Sequence, residues 1–148
     1  MTLLTSCTNE EGYKDISLAN SAVKEVSGDW VVEVLRDDVH FSDAIVTISN
    51  TSDNSPTQIV INDHDGGWGL KAIANVDIAT KTFSVTDATE YYYDVTVTIT
   101  NGTIIPNGGT TPDGRIVDAI SFTAVFSDVP TRTFVYTGYR RTGFLEDE

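Results

Sequence analysis

Apolar and polar positions alternate with a period of two along most of this chain, and turn-forming residues break the alternation at roughly the 8–12-residue spacing of short antiparallel strands. Trp30, Val32 and Val34 share one side of a first strand, with Asp29, Val31 and Glu33 on the other. Arg36-Asp37-Asp38 turns the chain into a second strand, Ala44 to Ile48, which the turn formers from Asn50 to Pro56 end; Thr57 to Asn62 is a third. After the loop Asp63-His64-Asp65-Gly66-Gly67, Trp68 to Asn75 and Thr82 to Val85 read as two more. From Tyr91 to Thr100 the pattern puts Tyr91, Tyr93, Val95, Val97 and Ile99 on a dry side and Tyr92, Asp94, Thr96 and Thr98 on a wet one. Asn101-Gly102 follows directly, and Asn-Gly between two strand-like runs predicts a tight hairpin into Thr103-Ile104-Ile105. A Gly- and Pro-rich connection, Pro106 to Gly114, leads to a strand over Asp118 to Phe126, and Thr133 to Arg140 supplies the last.

Before the first strand, Asp15 to Val26 reads as a short amphipathic helix capped by Asp15 or Ser17, too short to stand without packing on something. The expected architecture is all-β: a single antiparallel up-and-down barrel of about eight strands with a short N-terminal helix. Closure is favoured over a sandwich because it removes exposed strand edges. No internal repeat divides the 148 residues, so they form one domain.

Composition agrees. Val, Ile and Thr number 16, 12 and 21 against 6 Leu, a β-branched bias that suits pleated strands. The net charge of −13, with nine Lys and Arg and no basic run, would repel a phosphate backbone or an anionic bilayer, which excludes nucleic acid and electrostatic membrane docking.

The single cysteine, Cys7, rules out an intrachain disulfide and a cysteine-based zinc site. Leu4-Thr5-Ser6-Cys7 has the form of a bacterial lipobox, in which the cysteine is acylated and becomes the mature N-terminus, and polar Thr8 to Glu11 would be its tether. Residues 1–14 are then expected to be a truncated lipoprotein signal and tether, and 15–148 the barrel. Two acyl chains give stable anchoring, and no run of 18 apolar residues competes for that role.

Gly28-Asp29-Trp30 resembles the Gly-x-Trp opening of calycins, the lipocalin-like barrels in which a helix precedes the first strand, the Trp seals the floor and a late Arg lies over it; Arg140 or Arg141 would be that cation. Parity along the last strand puts Phe134, Tyr136 and Arg140 inward and Arg141 outward, which selects Arg140. A narrower resemblance lies in Phe83 to Ala88, the run Tyr92 to Gly102, Thr111-Pro112-Asp113-Gly114 and Gly138-Tyr139-Arg140-Arg141-Thr142-Gly143-Phe144. Together these are similar to Bacteroidetes lipoproteins described as lipid-binding putative hydrolases. That resemblance implies a calycin-like barrel on a cell-envelope protein, tethered at the outer membrane, with surface exposure among the expectations.

The hydrolase part has little sequence to stand on. No Gly-x-Ser-x-Gly elbow occurs, and only His40 and His64 could serve as a base. His64 lies between Asp63 and Asp65, where a solvated turn is the simpler explanation; the full calcium-loop ladder is missing too, and no cofactor or metal is expected. The Asn-x-Ser/Thr matches at Asn50 and Asn101 carry little in so Thr-rich a chain. Trp30, Tyr91, Tyr93, Phe122, Phe126 and Arg140 are the candidate ligand contacts. An eight-stranded barrel is just wide enough to be filled by side chains or to hold one small ligand, and the pattern leaves both open. The functional expectation is a lipid-anchored module holding a small apolar or amphipathic, lipid-like ligand. The alternative is an accessory interaction protein with a solid interior.

Overall fold

The computed structural model describes residues 21–144, and within them the chain forms one closed antiparallel barrel. Its strands are β1 (Gly28–Arg36), β2 (Val39–Asn50), β3 (Gln58–Asn62), β4 (Lys71–Asp77), β5 (Thr82–Glu90), β6 (Val95–Thr110), β7 (Ile116–Phe126) and β8 (Phe134–Arg140). Each pairs with its neighbour in sequence, and β8 returns to pair with β1, so no edge remains open. The expected all-β barrel of eight strands is what the chain adopts. Ala22 to Val26 make hydrogen-bonded turns that press Val23 and Val26 into the core; the rest of the expected N-terminal helix, and Cys7, lie outside the described residues.

Alternation works as the pattern demands along most strands. Trp30, Val32 and Val34 of β1, Ile59 and Ile61 of β3, Ala72, Ala74 and Val76 of β4, and Ile120, Phe122, Ala124 and Phe126 of β7 are buried. Phe122 and Tyr136 stack nearly parallel with centroids 4.6 Å apart, and Phe83 meets Phe122 edge-on at 5.6 Å. Each such pair adds about 0.5–1.5 kcal/mol beyond its area burial. The barrel is filled by side chains.

Five strand expectations need correction. Asn101-Gly102 is not a hairpin turn: β6 runs through it, because β5 and β7 pair on both sides of the same strand. Asn101 takes φ 56° and, with Gly102, opposes the single residue Phe122, which makes a β-bulge that bends a 16-residue strand around the barrel. A Cβ on Gly102 would come within 2.4 Å of Phe83, whose ring covers that position. The two-residue turn of consecutive positive φ lies instead at Asp37 (51°) and Asp38 (70°), joining β1 to β2. Tyr91 to Asp94 form a turn rather than the head of a strand, while β5 extends to Glu90 and Trp68 sits in a loop before β4. The connection expected over Pro106 to Gly114 is mostly strand, since β6 reaches Thr110.

The seam between β8 and β1 is the closest backbone approach among the described glycines. Gly138 stands opposite Val32, and a Cβ there would lie 1.9 Å from the Val31 carbonyl oxygen and 2.7 Å from Val32 Cα. Neither neighbour is a flexible side chain that could move aside. Gly138→Ala is expected to destabilise the barrel by about 3 kcal/mol through overpacking at the seam; chemical denaturation checks it, and a variant within about 0.5 kcal/mol of the parent would mean that the strands are not in this register.

Candidate functional site: the two ends of the barrel

The floor is built where β1 begins and β8 ends. Trp30 and Arg140 are directly paired across the seam, and the guanidinium carbon lies 4.3 Å from the centroid of the indole ring. Arg140 also donates to the carbonyls of Ser27 and Glu25 and lies 3.4 Å from Asp118 Oδ2. One side chain therefore ties the entering segment, β1, β7 and β8 together. Trp30 is fully buried, and its Nε1 finds no acceptor among the described residues, so its role at this end is stacking and packing. Arg141 points the other way, 3.6 Å from Asp29 Oδ2 and partly in solvent. Arg140→Ala should cost about 2–3 kcal/mol, from the stacked cation and the carbonyls it leaves unpaired. Arg141→Ala should cost less than about 0.5 kcal/mol; equal losses in urea unfolding would contradict this division of labour.

The opposite end, the mouth, is organised by two buried carboxylates. Asp63 Oδ1 accepts from the amides of Asp65 (2.9 Å) and Leu70 (2.8 Å), and Oδ2 accepts from Gly67 N (3.2 Å) and the Tyr136 hydroxyl (2.9 Å). Those four bonds fold the loop from Asp63 to Leu70 over the barrel end. Gly67 is required because a Cβ would sit 2.6 Å from the Tyr136 hydroxyl and 2.7 Å from Asp63 Oδ2. Glu90 does the same for the next loop, accepting from the amides of Lys71, Tyr92 and Tyr93 at 2.8–2.9 Å. The loops are then clasped to each other, Tyr92 donating to Asn62 Oδ1 (2.7 Å) and Tyr93 to both Asp65 oxygens (3.0 and 2.8 Å).

On this frame Trp68 is laid against Phe134 (centroids 5.2 Å) and Phe41 (5.9 Å), and its Nε1 points to Asp128 Oδ1 at 3.4 Å. Phe41, Trp68, Tyr93, Asp65 and Asp128 line an open cavity of about 340 Å³. Burial pushes the Tyr136 phenol well above its ordinary value, with Asp63 adding to the effect, and the hydrogen bond to Asp65 raises that of Tyr93. Both stay neutral donors.

The six residues expected to line one cavity are therefore divided. Trp30, Phe122 and Phe126 are packed core, Arg140 closes the floor, and Tyr91 and Tyr93 are 59% and 56% exposed at the mouth. Tyr91 and Tyr93 had been placed on the dry side; the turn from Tyr91 to Asp94 ends that alternation and turns them outward. Phe41, Trp68, Asp128 and Glu90 were not singled out, and Asp63 and Asp65 were read as part of a solvated turn. The three glycines around Trp68 were the available signal, since Gly is needed where other groups approach the backbone closely.

A comparison with protein families matches residues 15–145 to the family described as lipid-binding putative hydrolase. The chain belongs to that family. No curated protein matches it. For a lipid-binding putative hydrolase, the arrangement that comes nearest to a nucleophile and base lies on the outer wall, in a groove of about 660 Å³ that contains Asp29, Thr47 and His64. Thr47 Oγ1 is 2.7 Å from Asp29 Oδ1 and 2.7 Å from His64 Nε2. The order is acid, hydroxyl, imidazole. A carboxylate can only accept, so the Thr47 proton goes to Asp29 and His64 Nε2 donates to the hydroxyl, the reverse of what a general base must do. His40 is bound to Glu33 on the outside of β1 and β2 at 2.9 Å.

Burial holds the Asp63 carboxyl above its usual range, against the opposing pull of its hydrogen bonds. The folded chain thus keeps this proton to higher pH than the unfolded chain does. Asp63 favours folding most in acid, and that contribution falls as the pH rises through its folded-state value. Tyr136→Phe leaves Oδ2 with Gly67 N alone and should cost about 1–3 kcal/mol, more once Asp63 is ionised than when it is protonated. Urea unfolding at several pH values tests this; a loss independent of pH would show that the hydroxyl does not serve the carboxylate.

Proposed function

We propose that the protein is a lipid-anchored cell-envelope module that takes an apolar or amphipathic, lipid-like ligand at the mouth of its barrel. The observation that carries this is the half-buried aromatic wall of Phe41 and Trp68, continuous with Phe134 of the core and open to solvent beside Tyr93. The family description supplies the ligand class. Because Trp30, Phe122, Phe126 and Tyr136 occupy the interior, the ligand rests on the mouth and does not thread the barrel. Anchoring rests on Leu4-Thr5-Ser6-Cys7, with the acyl chains on Cys7 holding the barrel at the envelope, outer membrane included. The filled interior also favours a second reading, an accessory protein that presents its outer wall to a partner.

Mass spectrometry of organic extracts from natively purified protein separates these: an enriched amphiphile that is lost in Trp68→Ala supports the binding module, and clean extracts support the accessory role. For the anchor, Cys7→Ser in the full precursor is expected to move the protein from the membrane fraction to the soluble one. Continued membrane association of that variant would remove the lipid-anchor proposal.

A further inference from the structure

The mouth cavity combines aromatic walls with carboxylates, and that combination selects among amphiphiles. Trp68, Phe41 and Tyr93 present ring surface, and Asp65 and Asp128 stand at the edge. Each carboxylate is held by an aromatic donor, Asp65 by the Tyr93 hydroxyl and Asp128 by the Trp68 indole, and a carboxylate has acceptor sites beyond one such bond. Behind them lie the buried Asp63 and Glu90. Arg36 lies over Phe41 with its guanidinium carbon 5.1 Å from the ring centroid, so one of these rings already faces positive charge. A fatty-acid carboxylate or a bare phosphate would meet like charge here in a chain of net charge −13.

We infer that the mouth is a site for an organic ammonium group, in particular a quaternary ammonium head of the choline type, bound over Trp68 and Tyr93 and neutralised by Asp65 and Asp128. Such a head is weakly hydrated and apolar on its surface, so ring faces satisfy it where a strongly hydrated ion would prefer water. A volume of 340 Å³, at the small end of ligand pockets, suits a head with its first carbons. This deepens the lipid-ligand reading and rests on it for the tail alone; the head site stands on the cavity.

The test is isothermal titration of the full chain with choline and with dimethylbutanol, its neutral isostere, monitored in parallel by the Trp68 indole NMR signal. Choline should bind and shift that signal, and the isostere should bind about tenfold more weakly. The shape-preserving pair Asp65→Asn and Asp128→Asn should weaken choline by a similar factor and leave the isostere unchanged, while the remote Asp53→Asn changes neither. Equal binding of the two probes, no binding of choline, or indifference to the Asp pair would overturn the proposal. Dodecyltrimethylammonium against dodecanoate then isolates the tail. Choline binding with no gain from the long chain keeps the head site and removes the lipid reading; equal binding of both amphiphiles without choline binding does the opposite. Phosphatidylcholine vesicles that co-sediment with the parent but not with the Asp pair would identify a membrane lipid as the source of the head, and binding of choline without co-sedimentation would identify a free cation.

Discussion

Closure of β8 against β1 is the constraint from which the rest follows. A sheet rich in Val, Ile and Thr presents strand edges that invite pairing with other chains, and only a seam that fits removes them. Here the fit depends on Gly138 allowing the Val31 carbonyl to approach and on Arg140 reaching across to Trp30. Once these meet, Val32, Val34, Phe134 and Tyr136 are brought inward on adjacent strands and the interior fills. Arg140 also draws in the segment that carries Val23 and Val26 through the carbonyls of Glu25 and Ser27. The floor is thus secured by a partly desolvated cation bonded to several neighbours at once, which holds a geometry far better than an exposed ion pair does.

At the mouth the same barrel uses the opposite device. Burying a carboxylate is costly unless donors surround it, and Asp63 and Glu90 are each surrounded by backbone amides from a loop that would otherwise have no reason to adopt one shape. The result is two irregular loops held rigidly enough to fix Trp68 and Tyr93. His64, Asp65 and Asp94 in these loops take positive φ, a conformation that Asp and His adopt more readily than most residues.

What could be read from the chain divides along the same line. Strands with one wet and one dry side were legible, and so was the choice of Arg140 over Arg141, because parity follows from the fixed period of a strand. Asn101-Gly102 misled because the same preference for positive φ serves a bulge as well as a hairpin, and what decides is whether strands lie on both sides, a tertiary fact. Asp37-Asp38, with no glycine, makes the hairpin instead, because the two strands it joins pair directly with each other from Arg36 opposite Val39 onward. Tyr91 and Tyr93 continued an alternation that Glu90 interrupts by pulling the next four residues into a turn. Asp63 looked solvated because charge predicts exposure, and only the donors gathered from Asp65, Gly67, Leu70 and Tyr136 reverse that.

These two ends assign different tasks to similar aromatic groups. Trp30 is fully enclosed, with a guanidinium of the protein itself on its face, so the attraction between ring and cation is already used for stability. Trp68 is only half-buried, its own partners are neutral rings and a carboxylate, and part of its surface faces the open cavity. A cation–π contact satisfied internally makes a floor. The same contact left open, beside carboxylates with acceptor sites to spare, is the place we propose for a ligand. Because the interior between them is packed with side chains, the floor can hold the barrel's shape without limiting how the mouth loops vary, and of the side chains around the mouth cavity only Phe41 stands on a strand.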